Sequence, residues 1–360
     1  MAEAAGVLHV ICEGGPRADG PSRTMARVRE GNVLDLVDRF RAMAPQGQVA
    51  VYTSYPELAR DAAAHGAEVV RTQSAGFHFG RTLQDAVRRF RPAAVLALGG
   101  GACPLFAPED FAFTYRSLQA DERVVVANAP GSADMVACNH PQGLLWTDLP
   151  AIDNSLPRAL RALGYRRALI PNAARLHFDV DTPTDIVLLR VLQPQGAAIR
   201  AALAEVPWHL PALAAAIDRL RGSRPSLGVF GRVPSDMLSH LDMMARWRLH
   251  VLSEQRGMKA QGVDGEEAGG LMALLGPERL LAAACAICDA VFFDTRPLAM
   301  AWGASAADRF YSDLGLPDHV GEPRLRGLTR AAVACPAPVV LGGHCLVSGG
   351  LWSLCNQLRD

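Results

Sequence analysis

Short apolar runs alternate with amphipathic stretches from the first residues of the chain. Residues 7–12 (VLHVIC) are an apolar run closed by Gly14-Gly15. Residues 32–43 carry apolar side chains at 33, 34, 36, 37 and 40, the stripe of a helix. A β-branched run at 48–53 (QVAVYT), a helix at 56–64, a strand at 68–71 and a helix at 82–90 with its basic face outward follow. Residues 94–98 (AVLAL) read as a buried strand ending in Gly99-Gly100-Gly101. Pro108 opens a helix over 108–119, and 123–128 is a further strand. This rhythm predicts an α/β fold, a mostly parallel sheet with helices on both faces. Ligands of such sheets gather at the carboxyl ends of the strands.

The texture changes between 193 and 225. The segment QPQG (193–196) closes one block, a polar–apolar helix covers 197–221, and GSRP (222–225) reads as a linker. A second α/β block follows, with strands at 227–230, 249–252, 291–294 and 338–341 and helices at 235–247, 271–288 and 346–358. The expected organisation is a first domain over 1–195, a helical linker over 196–224 and a smaller α/β domain over 225–360.

Composition narrows the function. The chain has 360 residues, half of them hydrophobic, enough for one large core or two ordinary ones. Lys+Arg and Asp+Glu are both 36 and aromatics are 6%, which argues against a nucleic-acid partner. No apolar stretch approaches the roughly 20 residues of a membrane span. The start, MAEAAGVLHV, lacks the cationic opening of a signal peptide. A soluble, cytoplasmic protein is the expectation, and nothing in the sequence excludes a homodimer. The eight cysteines sit mostly in apolar runs, as reduced core cysteines do. The CxxC at 285–288 lies in an apolar helix and reads as structural. Lys259 is the only lysine, so phosphate contacts fall to arginines.

Residues 10–25, VICEGGPRADGPSRTM, form a strand running into a loop with Gly14, Gly15, Arg17, Gly20 and Arg23. Glycines let backbone N–H groups close on phosphates and arginines add charge. A tight turn after the strand is the rival reading. The loop is no P-loop, since no GK[ST] follows. It resembles the opening of the GT-A-type nucleotidyltransferases, including molybdenum-cofactor and phospholactate guanylyltransferases, whose pattern is roughly GG-x-R-x-G-x-x-K. Gly14, Gly15, Arg17 and Gly20 match, and Arg23 stands at the lysine. The resemblance spans about residues 1–192. It continues through 49–71, through GFHFGRTL (76–83) and through LALGGGACPLFAPEDF (96–111), and implies that Thr53, Arg81, Gly100 and Gly101 also line the nucleotide.

The resemblance implies a Mg²⁺ ion as well. In the family the strand ending at 101 is followed by a metal-binding aspartate, and here that position is Ala102. Asp134, Asp179 and Asp181 are the candidates to replace it, the last two in FDVDTPTDI (178–186), which matches the family's D-x-D-T-P ending; the other outcome is a domain that has lost catalysis, and a turn aspartate is the rival reading of Asp134. Helix capping before Pro183 is the alternative for Asp181. Asn128, Ser132 and Asn154 are polar at turns and fit a pocket or a turn equally. In the second block, the strand-end loops holding Lys259 and His344 (VVLGGHCLVSGG, 339–350) are candidates for acid–base or anion-binding roles.

The function implied is Mg²⁺-assisted nucleotidyl transfer from an NTP to a small phosphorylated or hydroxylated acceptor, with Arg23, Asp181, Lys259 and His344 as catalytic candidates. A glycosyltransferase using a nucleotide sugar is the alternative. An inactive nucleotide-binding module regulating the C-terminal domain is the other, and Ala102 favours it.

Overall fold

A computed structural model describes residues 6–14, 20–73, 77–129, 133–153, 155–171, 173–244, 246–255 and 257–358. The chain divides into two compact units. One comprises Met1–Ala18, Ala26–Asp179 and Pro194–Ala204; the other Asp19–Met25, Val180–Gln193 and Glu205–Asp360.

The first unit is built on seven strands: β1 (Val7–Glu13), β2 (Gln48–Thr53), β3 (Glu68–Arg71), β4 (Ala94–Gly99), β5 (Val124–Ala127), β6 (Met135–Asn139) and β7 (Arg166–Leu169). Their order is β3-β2-β1-β4-β6-β5-β7. Only β6 runs antiparallel, against both β4 and β5. The central strands are near-continuous apolar runs because helices cover both faces. Alternate residues feed two cores: Val7 and Ile11 enter one, Leu8, Val10 and Cys12 the other. The edge strands β3 and β7 have no fully buried residue.

The second unit holds a four-stranded parallel sheet of β8 (Ser226–Gly231), β9 (Arg248–Ser253), β10 (Ala290–Asp294) and β11 (Val339–Gly342), in the order β11-β10-β8-β9. The architecture is the mixed α/β, mostly parallel one that the sequence pattern predicts. The chain passes between the units more than once, where one helical linker over 196–224 was expected. The helix Pro183–Leu192 groups with the second unit: the Thr184 hydroxyl donates to the Leu341 carbonyl at 2.6 Å. The helix Ala197–Ala204 groups with the first, where the Asp35 carboxylate caps the backbone N–H groups of Ala198 (3.1 Å) and Ile199 (2.8 Å). Gly196 allows that approach; a Cβ there would lie 1.9 Å from Asp35 Oδ2.

Several helices differ from the sequence reading for local reasons. The first runs over Pro21–Met43, longer than its apolar stripe. The stretch 108–119 is a 3₁₀ turn, Pro108–Phe111, followed by the helix Ala112–Leu118. The stretch 197–221 is two helices, since Pro207 and Pro211 cannot supply backbone donors. The stretch 271–288 breaks at Gly276, φ +82°, before Pro277. None of the eight cysteines is in a disulfide, and seven are buried. Among the described residues no single helix is long and apolar enough to cross a membrane.

One buried polar residue makes the first unit sensitive to acid. His9 on β1 is fully buried and stacked on Phe40 at 4.4 Å between ring centres. Its Nδ1–H faces the Gln48 carbonyl (3.3 Å), so Nε2 accepts from the Tyr115 hydroxyl (2.9 Å). Burial pushes its pKa from 6.5 down to about 4, against the opposing pull of that carbonyl. The unfolded chain therefore takes up a proton below pH 6.5 that the folded one refuses, and stability present above that pH is lost as pH falls toward 4. The expected loss from this residue between pH 7 and pH 5 is about 2 kcal/mol. Urea unfolding of wild type and His9→Gln at both pH values checks this. A difference that does not shrink for wild type relative to the variant on acidification would contradict it.

Candidate functional site

In the first sheet the strands are laid down outward from β1 through β2 to β3, and the chain then returns to place β4 on the other side of β1. The crevice at such a reversal, beyond the carboxyl ends of the strands, is where ligands of open α/β sheets bind. Here it lies between the ends of β1 and β4. Glu13 ends β1 and Gly14 follows it; a Cβ on Gly14 would fall 2.8 Å from Ser54 Oγ, so glycine lets this turn approach the end of β2. Glu13 is buried and accepts from Arg29 Nε at 3.0 Å. The pair fills the floor beside Gly100, where a Cβ would meet Glu13 Oε2 at 2.3 Å.

The loop after β4 is held by one side chain. Asn32 Nδ2 donates to the carbonyls of Gly100 (2.8 Å) and Ala102 (2.9 Å), while Gly100 N donates to Cys12 O (2.9 Å). Asn32 is itself 2% exposed, so these bonds are sheltered from water. Just beyond, Ala102 pairs with Asp179 in an isolated antiparallel bridge, and Cys103, at φ +55°, donates its N–H to the Phe178 carbonyl at 2.9 Å. The segment before residue 180 is thereby zipped onto the end of β4.

Acidic groups converge there. Because β6 runs antiparallel to β4, it begins at the edge where β4 ends, and Asp134 immediately precedes it. Asn128, following β5, fixes that corner: its Oδ1 accepts from Asp134 N (3.1 Å) and its Nδ2 donates to Leu176 O (2.8 Å) and Asp134 Oδ2 (3.3 Å). The Cys103 thiol is pushed well above its ordinary pKa, first by burial and then by the negative charges of Asp134, Asp179 and Asp110. Three carboxylates thus act on one buried atom. Asp110 is engaged elsewhere, capping Ala107 N at 2.7 Å and pairing with Arg175 at 2.8 Å. Asp134 and Asp179 are both half-buried.

The other expected residues fall in both units. Gly15, Arg17, Ser132 and Asn154 lie outside the described residues. The Thr53 hydroxyl is fully buried and accepts from Tyr55 N at 3.0 Å, a turn-forming bond. Gly20, at φ +72°, precedes the helix carrying Arg23, which is exposed and groups with the second unit. Arg81 is exposed on the first turn of the helix Phe79–Phe90, and Gly101 is buried in the loop after β4. Asp181 belongs to the second unit, where Arg296 donates to its carbonyl at 3.4 Å. Lys259 falls in the 3₁₀ turn Met258–Gln261, with its side chain outside the described part of the chain. The Ser348 hydroxyl donates to the His344 carbonyl at 2.8 Å. Among the described residues no group of three or more His, Cys, Asp or Glu is placed to hold a metal ion, so Asp134, Asp179 and Asp181 do not make a ready three-carboxylate site. Asn32 and Asn128 organise the strand ends. Asn32 was missed by sequence reasoning, because its partners are carbonyls about 70 residues away that no local pattern announces.

No protein-family model matches the chain, and no curated protein does. Solved structures similar to it include a nucleotidyl transferase from Methanothermobacter, 16% identical over 51% of this chain and 96% of that one, with a TM-score of 0.38. A CMP:2-keto-3-deoxy-manno-octonic acid synthetase complexed with CTP is 14% identical over 52% and 98%, with a TM-score of 0.35. A cytidylyltransferase from Leptospira borgpetersenii is 13% identical over 56% and 93%, with a TM-score of 0.39. They are transferases of the kind the sequence resembles. At these identities and scores they carry no activity over to the chain.

The environment of Ala102 gives a direct prediction. It is 1% exposed and belongs to the apolar core that includes Phe106 and Phe111, with Asp179 across from it. A carboxylate there would be buried beside other acidic groups, so Ala102→Asp is expected to destabilise the first unit by about 2–4 kcal/mol. Chemical denaturation measures this; unchanged stability would mean that the position opens to solvent or to an ion.

Proposed function

We propose that the first unit binds a nucleoside triphosphate and supports nucleotidyl transfer. A hydroxyl or phosphate oxygen of a small acceptor attacks the α-phosphorus, the bond to the β-phosphate oxygen breaks, and pyrophosphate leaves. The observation that carries the reading is the meeting of Asp134 and Asp179, from distant segments, around Cys103 at the end of β4, beside the glycine-lined reversal between β1 and β4.

The donor set suits Mg²⁺. This ion prefers oxygen ligands and is usually held by one or two carboxylates, with water and substrate phosphates completing the shell. Asp134 and Asp179 supply such oxygens, and the neighbouring thiol, held protonated by burial, does not compete. When bound, the ion would neutralise charge on the phosphates and on the departing pyrophosphate. The chain's own contribution is positioning. Asn32 fixes the Gly100–Ala102 loop, Gly14 and Gly100 admit close backbone approach, and Asn128 orients Asp134.

The burial of Ala102 favours a second reading, a nucleotide-binding module without turnover. The two share a first test. An NTP with Mg²⁺ should raise the melting temperature of the full chain, since a ligand that binds only the folded state stabilises it. Asp134→Asn and Asp179→Asn should each weaken that binding at least tenfold, and chelation of Mg²⁺ should do the same. If none of the four NTPs shifts the transition, both readings fail. Pyrophosphate release in the presence of a pooled small-molecule extract then separates transfer from binding alone.

A further inference from the structure

The second unit has its own reversal. From β8 the chain places β9 on one side, and β10 then returns to lie on the other side of β8. At the carboxyl ends of β8 and β10 stand Gly231-Arg232 and Asp294-Thr295-Arg296, and β11 ends beside them in Gly342-Gly343. Asp294 is wholly buried and takes Arg232 in a fork, Nε to Oδ2 at 2.6 Å and a terminal nitrogen to Oδ1 at 3.0 Å. It also accepts the backbone N–H groups of Arg232 (3.3 Å) and Arg296 (3.0 Å). The carboxylate is therefore saturated from below, and it sets the two arginines at the rim. Gly231, at φ +122°, lets β8 close onto it; a Cβ there would sit 2.4 Å from the Asp294 Cβ.

Arg309, on the helix Ala306–Asp313, joins them. Burial, then the nearby charge of Arg296 and, more weakly, Arg232, draw its guanidinium below its ordinary pKa, opposed by Asp313 and Asp181. Its Nε is buried with no hydrogen-bond partner, and its guanidinium makes no side-chain hydrogen bond among the described residues. A buried donor left unpaired beside like charges is destabilising. Among the described residues, one terminal nitrogen of Arg232 also lacks a bond, and Arg296 spends only one side-chain nitrogen, on the Asp181 carbonyl at 3.4 Å. Acidic neighbours share the region: against its burial, the Arg296 guanidinium is held above its ordinary pKa by Asp181, Asp294, Asp313 and Asp185, while burial pushes the Asp313 carboxyl up to about 7 and Asp185 to about 8.

We propose that this crevice binds a phosphoryl group, as free phosphate or as a phosphate monoester, with Arg232, Arg296 and Arg309 as its donors. A tetrahedral phosphoryl offers acceptors in several directions and suits donors arriving from three separate elements, whereas a carboxylate presents its acceptors in one plane. The inference is argued from residues of the second unit alone and does not rest on the nucleotide reading.

The test uses the full chain in a chloride buffer of fixed ionic strength, titrated with inorganic phosphate, glycerol phosphate or acetate. Phosphate and glycerol phosphate should raise the melting temperature and acetate should not; the stronger of the two tells free phosphate from an ester. Arg309→Met should melt no lower than wild type without added anion, because it removes an unpaired buried donor. It should bind phosphate at least tenfold more weakly by calorimetry. A wild type that ignores phosphate, an equal response to acetate, or an Arg309→Met variant that retains phosphate affinity would each overturn the proposal. Should that variant fail to fold, Arg309→Gln with the same titration gives the same decision.

Discussion

The Asn32 carboxamide is the constraint on which the first unit's functional edge depends. A strand that ends inside a protein leaves carbonyl groups needing donors, and the two glycines after β4, Gly100 and Gly101, have no side chains to help. One buried NH₂ group satisfies two of those carbonyls, and the loop then has a single shape. Much else is built on it. The pairing of Ala102 with Asp179 requires the loop where it is, and that pairing brings an acidic residue from far along the chain to the end of β4. The antiparallel β6 completes the arrangement, since a reversed strand delivers Asp134 to the edge where its parallel neighbours deliver their last residues.

Most of the fold was legible because its signal is local. Runs such as QVAVYT and AVLAL are short, apolar and bounded by glycine or polar residues, and their observed limits agree with the pattern to within a residue. Helices were read too long wherever an apolar stripe carried on through a break, as at Gly276-Pro277 and between Ala204 and Pro211. There a backbone constraint overrode a side-chain pattern. The reversed β6 and the grouping of the helix Pro183–Leu192 with the second sheet were not legible. Both depend on partners far away in sequence, such as the Leu341 carbonyl that takes the Thr184 hydroxyl.

The site was legible in residue type more than in grouping. The D-x-D segment reads as one unit, yet its members enter different networks. Asp179 pairs with Ala102 and acts on Cys103, whereas Asp181 is tied to Arg296. Phe178 and Val180 are fully buried while the two aspartates remain half-buried, which is the alternation of an extended segment. Spacing fixed the alternation; the packing of each neighbour decided which network a carboxylate joins.

The two sheets use acidic groups at their strand ends differently. At the end of β10 a carboxylate is consumed: Asp294 accepts four N–H groups, and its task is to hold cations in place. At the end of β4 the acids lie beside a thiol that can only be neutral, with Asn128 the neighbour that orients one of them. A carboxylate whose acceptor positions are taken by protein donors serves to fix the chain around it, as Asp294 ties the turn after β8 to the first residues of the helix that follows β10. The difference between the two strand ends therefore lies in what each acidic side chain orders: backbone turns and a guanidinium in the second unit, a loop corner through Asn128 in the first.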